Sequence, residues 1–131
     1  MRSVDTNVLV RLLTRDDEAQ RHAAETFVSS GAWVSHLVLA ETTWVLRSVY
    51  ERSPRDIALA IERLLDHQRI VIDQPDVVRD ALDGFRGRPM IGFSDWLMLA
   101  QARKAGHLPL GTFDRHLGGL DGAERLTSSR S

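Results

Sequence analysis

Four acids, Asp5, Glu41, Asp95 and Asp114, are the residues of this sequence whose type and setting could do chemistry. Glu41 stands in the run Leu37-Val38-Leu39-Ala40-Glu41-Thr42-Thr43-Trp44-Val45-Leu46. Its helical neighbours three and four positions away are Leu37, Val38, Trp44 and Val45. That spacing sets its carboxylate on the apolar side of a core helix, where an ionised acid is costly unless paired or bound to a cation. A buried ion pair with Arg11 or Arg47 is the structural alternative. Asp95, in Gly92-Phe93-Ser94-Asp95-Trp96-Leu97, falls in the first turn of a helix, where the dipole favours any acid. Its apolar neighbours point as well to a buried cleft. Asp114 follows Gly111-Thr112-Phe113 and reads alone as a turn or cap. Asp5 opens Asp5-Thr6-Asn7, three residues of helix N-cap type.

Taken as a set, these acids say more. Carboxylates brought close repel each other, and the cluster is stable only with a positive partner. Hard divalent cations, Mg²⁺ or Mn²⁺, take oxygen ligands and complete their shell with water and substrate phosphate. A cation held that way lowers the pKa of bound water and stabilises charge on phosphate, which suits phosphodiester hydrolysis. The chain contains no cysteine and no P-loop. A zinc-thiolate site, a disulfide framework and a cysteine nucleophile are therefore excluded. His22, His36, His67, His107 and His116 show no ligand spacing and read as surface or hydrogen-bonded residues, with His36 nearest to Glu41 in sequence.

The elements that must position the acids are legible in outline. Arg2-Ser3-Val4 reads as a strand running into the Asp5 cap and a short helix through Leu13. A helix follows over 16–29, with Ala19, Ala23, Ala24 and Phe27 near one face and Gly31 as its stop. Ala32–Ser35 reads as a strand, and 37–50 as an apolar helix. Ser53-Pro54-Arg55-Asp56 is a helix start, with serine capping, proline at the first helical position and an acid three residues after the cap. Ile57, Ile61, Leu64 and Leu65 form that helix's apolar stripe. Residues 69–72 are a β-branched run and so a strand. Residues 75–85 are helical, and Gly84, Gly87 and Pro89 break the chain after them. Ser94–Ala105 is the next helix, closed by Gly106. A strand within 108–113 ends at Asp114, and 124–127 is a weak last strand. Strands alternating with helices of this length predict an α/β domain with a mostly parallel sheet. Such sheets bind ligands at the carboxyl ends of their strands, where Asp5 and Asp114 both fall.

With 131 residues, 43% of them hydrophobic and 27% charged, the chain has the size and composition of one soluble domain. We expect that domain over 1–126, with 127–131 a disordered tail. The first residues are too few and too polar for a signal peptide, and no apolar run approaches membrane-spanning length, so a cytoplasmic location is the default. A net charge of −1 excludes a generic polyanion binder. Lys104 is the only lysine, every other basic side chain being arginine. Arginine is the better phosphate fork, although genomic base composition explains the same bias.

Val4-Asp5-Thr6-Asn7-Val8-Leu9-Val10 resembles the opening of PIN-domain nucleases, especially VapC-type toxins of bacterial toxin–antitoxin pairs. The likeness continues in order through Leu39-Ala40-Glu41, Phe93-Ser94-Asp95-Trp96-Leu97-Met98-Leu99-Ala100 and Gly111-Thr112-Phe113-Asp114, and so covers nearly the whole chain. It implies a three-layer PIN-like fold, a central parallel sheet of four to five strands flanked by helices. It implies a Mg²⁺- or Mn²⁺-dependent endoribonuclease with Asp5 and Asp95 as principal metal ligands and Glu41 and Asp114 completing the cluster, directly or through water. Asn7 would orient Asp5, Thr6 would reach the water or the scissile phosphate, and Thr112 would hold Asp114. Many relatives carry a second acid where Ser94 stands here, which favours one tightly held ion. The resemblance further implies a homodimer silenced by a cognate antitoxin that lays a peptide into the acidic groove. Two other readings share these features: a nuclease of the same fold acting on DNA or in RNA processing without an antitoxin, and a receiver-type phosphoacceptor domain. The receiver needs a lysine at a strand end, whereas Lys104 falls inside a predicted helix. A catalytically silent interaction domain would not need all four acids.

Overall fold

The computed structural model describes residues 1–128 and forms two compact units, Met1–Pro75 and Asp76 onward. The first unit contains β1 (Arg2–Ser3), α1 (Thr6–Leu13), α2 (Glu18–Val28), β2 (Ala32–Val34), α3 (His36–Ser48), α4 (Pro54–Asp66) and β3 (Ile70–Ile72). The second contains α5 (Pro75–Gly87, beginning on the boundary residue), α6 (Phe93–Ala105), β4 (Leu110–Thr112), a 3₁₀ turn over Leu117–Gly119 and β5 (Ala123–Arg125).

In the first unit the sheet order is β1-β2-β3 and every pairing is parallel, with Arg2 opposite Ala32 and Ala32 opposite Ile70. Its helices start where local chemistry says they should. Asp5 caps α1 through Val8 N–H, Asp17 caps α2 through Gln20 N–H, Ser35 caps α3 and Ser53 caps α4, with Pro54 at the first helical position. The apolar faces close over Leu9, Val34, Leu39 and Ile61, all 1% exposed or less. The expected stripe of α4 is correct at Ile57, Ile61 and Leu64. The expected face of α2 is not: Ala24 and Val28 are buried, whereas Ala19 and Ala23 are exposed. Alanine is small and weakly hydrophobic, so Val28, with more apolar surface to bury, sets the rotation of the helix.

In the second unit β4 and β5 pair in parallel, Leu110 opposite Ala123. Ile91, Leu99, Leu117 and Leu120 form a buried cluster, with Trp96, Leu110 and Ala123 packed against it. Helices α5 and α6 approach closely. Phe85 and Phe93 meet edge to face at 6.0 Å, Arg103 pairs with Asp80 at 3.0 Å, and Lys104 pairs with Asp76. Gly84, expected to break the chain, lies inside α5. A Cβ there would fall 2.2 Å from the Trp96 ring, so the glycine is a packing requirement and not a terminator. Gly106 ends α6 in the left-handed conformation, φ 80°, as expected.

The α/β class with parallel strands is therefore present, where a single sheet of four to five strands is the expectation. Among the described residues the strands pair as a sheet of three and a sheet of two. β1 is only two residues long, and its ladder is with β2 alone. Partner choice between distant strands leaves no local mark in the chain. Residues 129–131, the end of the segment expected to be disordered, lie outside the described residues. No helix among the described residues is long and apolar enough to cross a membrane.

Candidate active site

In the first unit the parallel strands deliver their carboxyl ends to one edge. β1 leads into the Asp5 cap of α1, and β2 leads directly into the Ser35 cap of α3. Asp5 Oδ1 accepts the Val8 N–H at 3.0 Å. Thr6, the next residue, donates its hydroxyl to Glu41 Oε2 at 2.9 Å, tying α1 to α3. The structure thus brings Thr6 and Glu41 together 35 positions apart in sequence. Asn7 is exposed in the first turn of α1.

Glu41 is exposed, which corrects its expected burial. The core side of α3 is Leu39, Thr42, Thr43 and Leu46, and the neighbours that suggested burial, Leu37 and Trp44, are 71% and 66% exposed. α3 is apolar on more than one side, so neighbour type did not identify the buried face. Neither proposed structural partner pairs with Glu41 among the described residues. Arg11 is committed to Asp16 at 2.9 Å and to Tyr50, whose hydroxyl also donates to Asp16. His36 is 9% exposed, and its Nε2 is hydrogen-bonded to the Asp73 carbonyl. Asp73 is not one of the four acids singled out by the sequence, although it follows the β-branched run of β3 much as Asp5 follows β1. That placement at the same sheet edge was the available signal.

In the second unit Asp95 occupies the first turn of α6, half-buried. Its pKa is pushed up, first by burial and then by the negative charge of Asp114. Asp114 follows β4 by one residue and is exposed. Its Oδ1 accepts the Leu117 N–H at 2.8 Å, the main reason its pKa is held down, with His116 and Arg125 adding positive charge nearby. The Asp114 N–H in turn donates to Thr112 Oγ1 at 3.0 Å. Thr112 therefore touches Asp114 through its backbone. Ser94 is exposed one residue before Asp95.

The donor chemistry suits a hard divalent cation. Every candidate is a carboxylate, and no lysine or arginine is ion-paired to Asp5, Glu41, Asp95 or Asp114 among the described residues. No group of three or more acids or histidines is preassembled for a metal among those residues. Mg²⁺ does not require one, since it is commonly held by one or two carboxylates with water and phosphate supplying the rest. The carboxylates within each unit meet that need.

Parallel strands that end in acids and run into capped helices define an α/β protein with its chemistry at the strand carboxyl ends. A family model described as PIN domain matches residues 3–122, and the chain belongs to the PIN domain family. That is a nuclease superfamily, whose members are generally hydrolases that use divalent metal ions. No curated protein matches the chain. The receiver reading finds no support in the fold: Lys104 lies in the last turn of α6, not at a strand end, and is paired with Asp76.

Proposed function

We propose that this protein is a metal-dependent endoribonuclease of the VapC type, the toxin of a toxin–antitoxin pair. The observation that carries the reading is the Asp95–Asp114 relation. One carboxylate is half-buried and destabilised as an anion, first by that burial and then by the charge of the other, with no cation of the protein paired to it among the described residues. Perturbed acids of this kind cluster at functional sites.

Asp5 and Asp95 would be the principal ligands of Mg²⁺ or Mn²⁺, with Glu41 and Asp114 completing the set directly or through water. When bound, the ion supplies an acidified water and charge stabilisation at the phosphate. The chain's own residues hold the geometry. The Thr6 hydroxyl fixes one oxygen of Glu41 and leaves the other free. The Val8 N–H fixes Asp5 Oδ1, and Asn7, exposed in the first turn of α1, would orient the same carboxylate as the resemblance implies. Thr112 and the Leu117 N–H fix the Asp114 turn. Ser94 in place of a second acid argues for a single tightly held ion. The reaction is hydrolysis of an RNA phosphodiester by water. A homodimer, and an antitoxin whose inserted arginine or lysine competes for the carboxylates, complete the proposal.

Purified protein is expected to cut RNA in Mg²⁺ or Mn²⁺ and to stop in EDTA. Its expression is expected to arrest growth, and Asp5→Asn to abolish both effects. Wild-type cleavage and toxicity in Asp5→Asn would sink the proposed site. Cleavage confined to DNA would replace the substrate, and cleavage without growth arrest would remove the toxin role.

A further inference from the structure

At the opposite end of α1 from Asp5, the first unit holds a cavity of about 560 Å³. Eight helical residues, about 12 Å, separate the two ends. The floor is apolar, made by Leu12 and Leu13 of α1, Val28 of α2, Leu64 of α4 and Ile70 of β3. The rim is cationic: Arg15, Arg21, Arg63 and Arg69 line it against a single acid, Glu25. Arg21 already answers that acid at 3.2 Å. Arg15, Arg63 and Arg69 make no ion pair among the described residues, so three exposed arginines without an acid partner line one cavity of a protein whose net charge is −1. His67 also lines the cavity, and its Nδ1 accepts the Arg69 N–H at 3.0 Å. In the neutral ring that places the ring proton on Nε2, a further donor.

A structural explanation covers only part of this. Cations are favoured in the last turn of a helix, and Arg63 stands in the last turn of α4. Arg69 precedes a strand and Arg15 lies beyond the α1 cap, where the helix dipole does not require them. Guanidinium groups lining one cavity repel one another, and an anion held among them offsets that repulsion. Their planar forks suit phosphate, and a phosphate monoester carries nearly two negative charges, more than a carboxylate can offer. An inorganic ion would leave the apolar floor unused. The volume lies in the range of pockets that enclose small organic ligands, roughly 300–1,000 Å³.

We propose that this cavity binds an organic phosphate monoester of about mononucleotide size, with the phosphate on Arg15, Arg63 and Arg69 and the organic body on the leucine–valine–isoleucine floor. The phosphate comes either from a free nucleotide or from the phosphorylated end of a nucleic-acid chain. The site is independent of the nuclease reading, since it uses none of the candidate acids.

The test is calorimetric titration of the full chain in EDTA at low ionic strength. Metal-free acids repel nucleotides there, so binding reports on the basic cavity. Adenosine 5′-monophosphate is the first probe, expected to bind once per chain with Kd below about 1 mM. Adenosine and inorganic phosphate are each expected to bind at least roughly tenfold more weakly. The double variant Arg63→Gln/Arg69→Gln is expected to lose at least about tenfold, while Arg55→Gln, exposed at the start of α4, changes nothing. If circular dichroism shows the double variant unfolded, Arg69→Gln alone is read against the same threshold. A trinucleotide with and without a 5′-phosphate separates the sources: preference for the phosphorylated form, with no monophosphate binding, assigns the site to chain ends. Failure of every phosphorylated probe overturns the proposal, as does equal binding of adenosine or undiminished binding by the arginine variant.

Discussion

In the first unit, both candidate acids are tied by the chain itself. Asp5 takes the Val8 N–H as a helix cap, and Glu41 takes the Thr6 hydroxyl. In the second unit only Asp114 is tied in this way, through Leu117 N–H, while Asp95 is half-buried beside it with its pKa pushed up. The two regions divide the work of an acidic site differently. Asp5 has a structural use whether or not a cation arrives, whereas the surroundings of Asp95, burial first and then Asp114, disfavour its charge. An acid whose charge is disfavoured by burial and by a neighbouring acid is the sharper functional signal.

The largest effect separates these roles at Asp5. Asp5→Asn is expected to lower RNA cleavage by more than the roughly 10–100-fold typical of losing an outer-shell partner of a metal ligand. Its Tm should stay near wild type, because asparagine caps a helix as well as aspartate. Asp5→Ala should lose the same activity and also about 0.5–2 kcal/mol of stability, measured by urea unfolding. Equal stability of the two variants would show that the cap is not what holds Asp5.

The next test addresses the platform under Asp95. Trp96, its neighbour in α6, lies against Gly84 so closely that an added Cβ would meet ring atoms at 2.2 to 2.7 Å. Gly84→Ala is expected to destabilise by about 1–3 kcal/mol through overpacking, despite the better helix propensity of alanine. A stabilised variant would mean that Trp96 moves freely and that the setting of Asp95 is soft.

How far the sequence reveals these differences depends on the range of the interaction. Asp5, Ser53 and Gly106 are readable because a cap is decided within four residues. The order of chemistry-bearing residues is readable from the resemblance. The orientation of Glu41 is not: α3 carries Leu37 and Trp44 on exposed positions, so apolar neighbours do not mark its core face. The Gly84–Trp96 approach and the division into three- and two-stranded sheets are set by contacts between residues far apart in the chain. The arginine-rimmed cavity has the same origin. Arg15, Arg63 and Arg69 come from three separate segments, and nothing in their spacing announces that they line one cavity.

A smaller effect falls on the first unit's tie. Thr6→Val removes the hydroxyl that fixes Glu41 without a large change of volume. Cleavage is expected to fall by roughly 10–100-fold, in the range of an outer-shell loss, with thermal stability little changed because the bond is exposed. Unaltered cleavage would leave the Thr6–Glu41 bond a surface contact only.

The smallest effect is the most direct measure of the contrast. Burial and Asp114 raise the pKa of Asp95, so the folded chain holds that proton more tightly than the unfolded chain. The stability this supplies is complete below the ordinary aspartate range and is lost as pH rises through the raised folded value. At neutral pH the ionised Asp95 is therefore a cost, and Asp95→Asn, assayed in EDTA, is expected to melt slightly above wild type. The advantage should vanish on acidification. Asp16 of the first unit should behave in the opposite sense. The Tyr50 hydroxyl, its largest influence, together with Thr14 and Arg11, holds its pKa down. Its contribution is present above the ordinary aspartate range and is lost as pH falls through the lowered folded value. Asp16→Asn is thus expected to melt below wild type at neutral pH and to converge with it in acid. Melting curves of both variants from about pH 7 down to about pH 3 cover both transitions. Parallel behaviour of the two variants would erase the distinction between an acid held for structure and one held for chemistry.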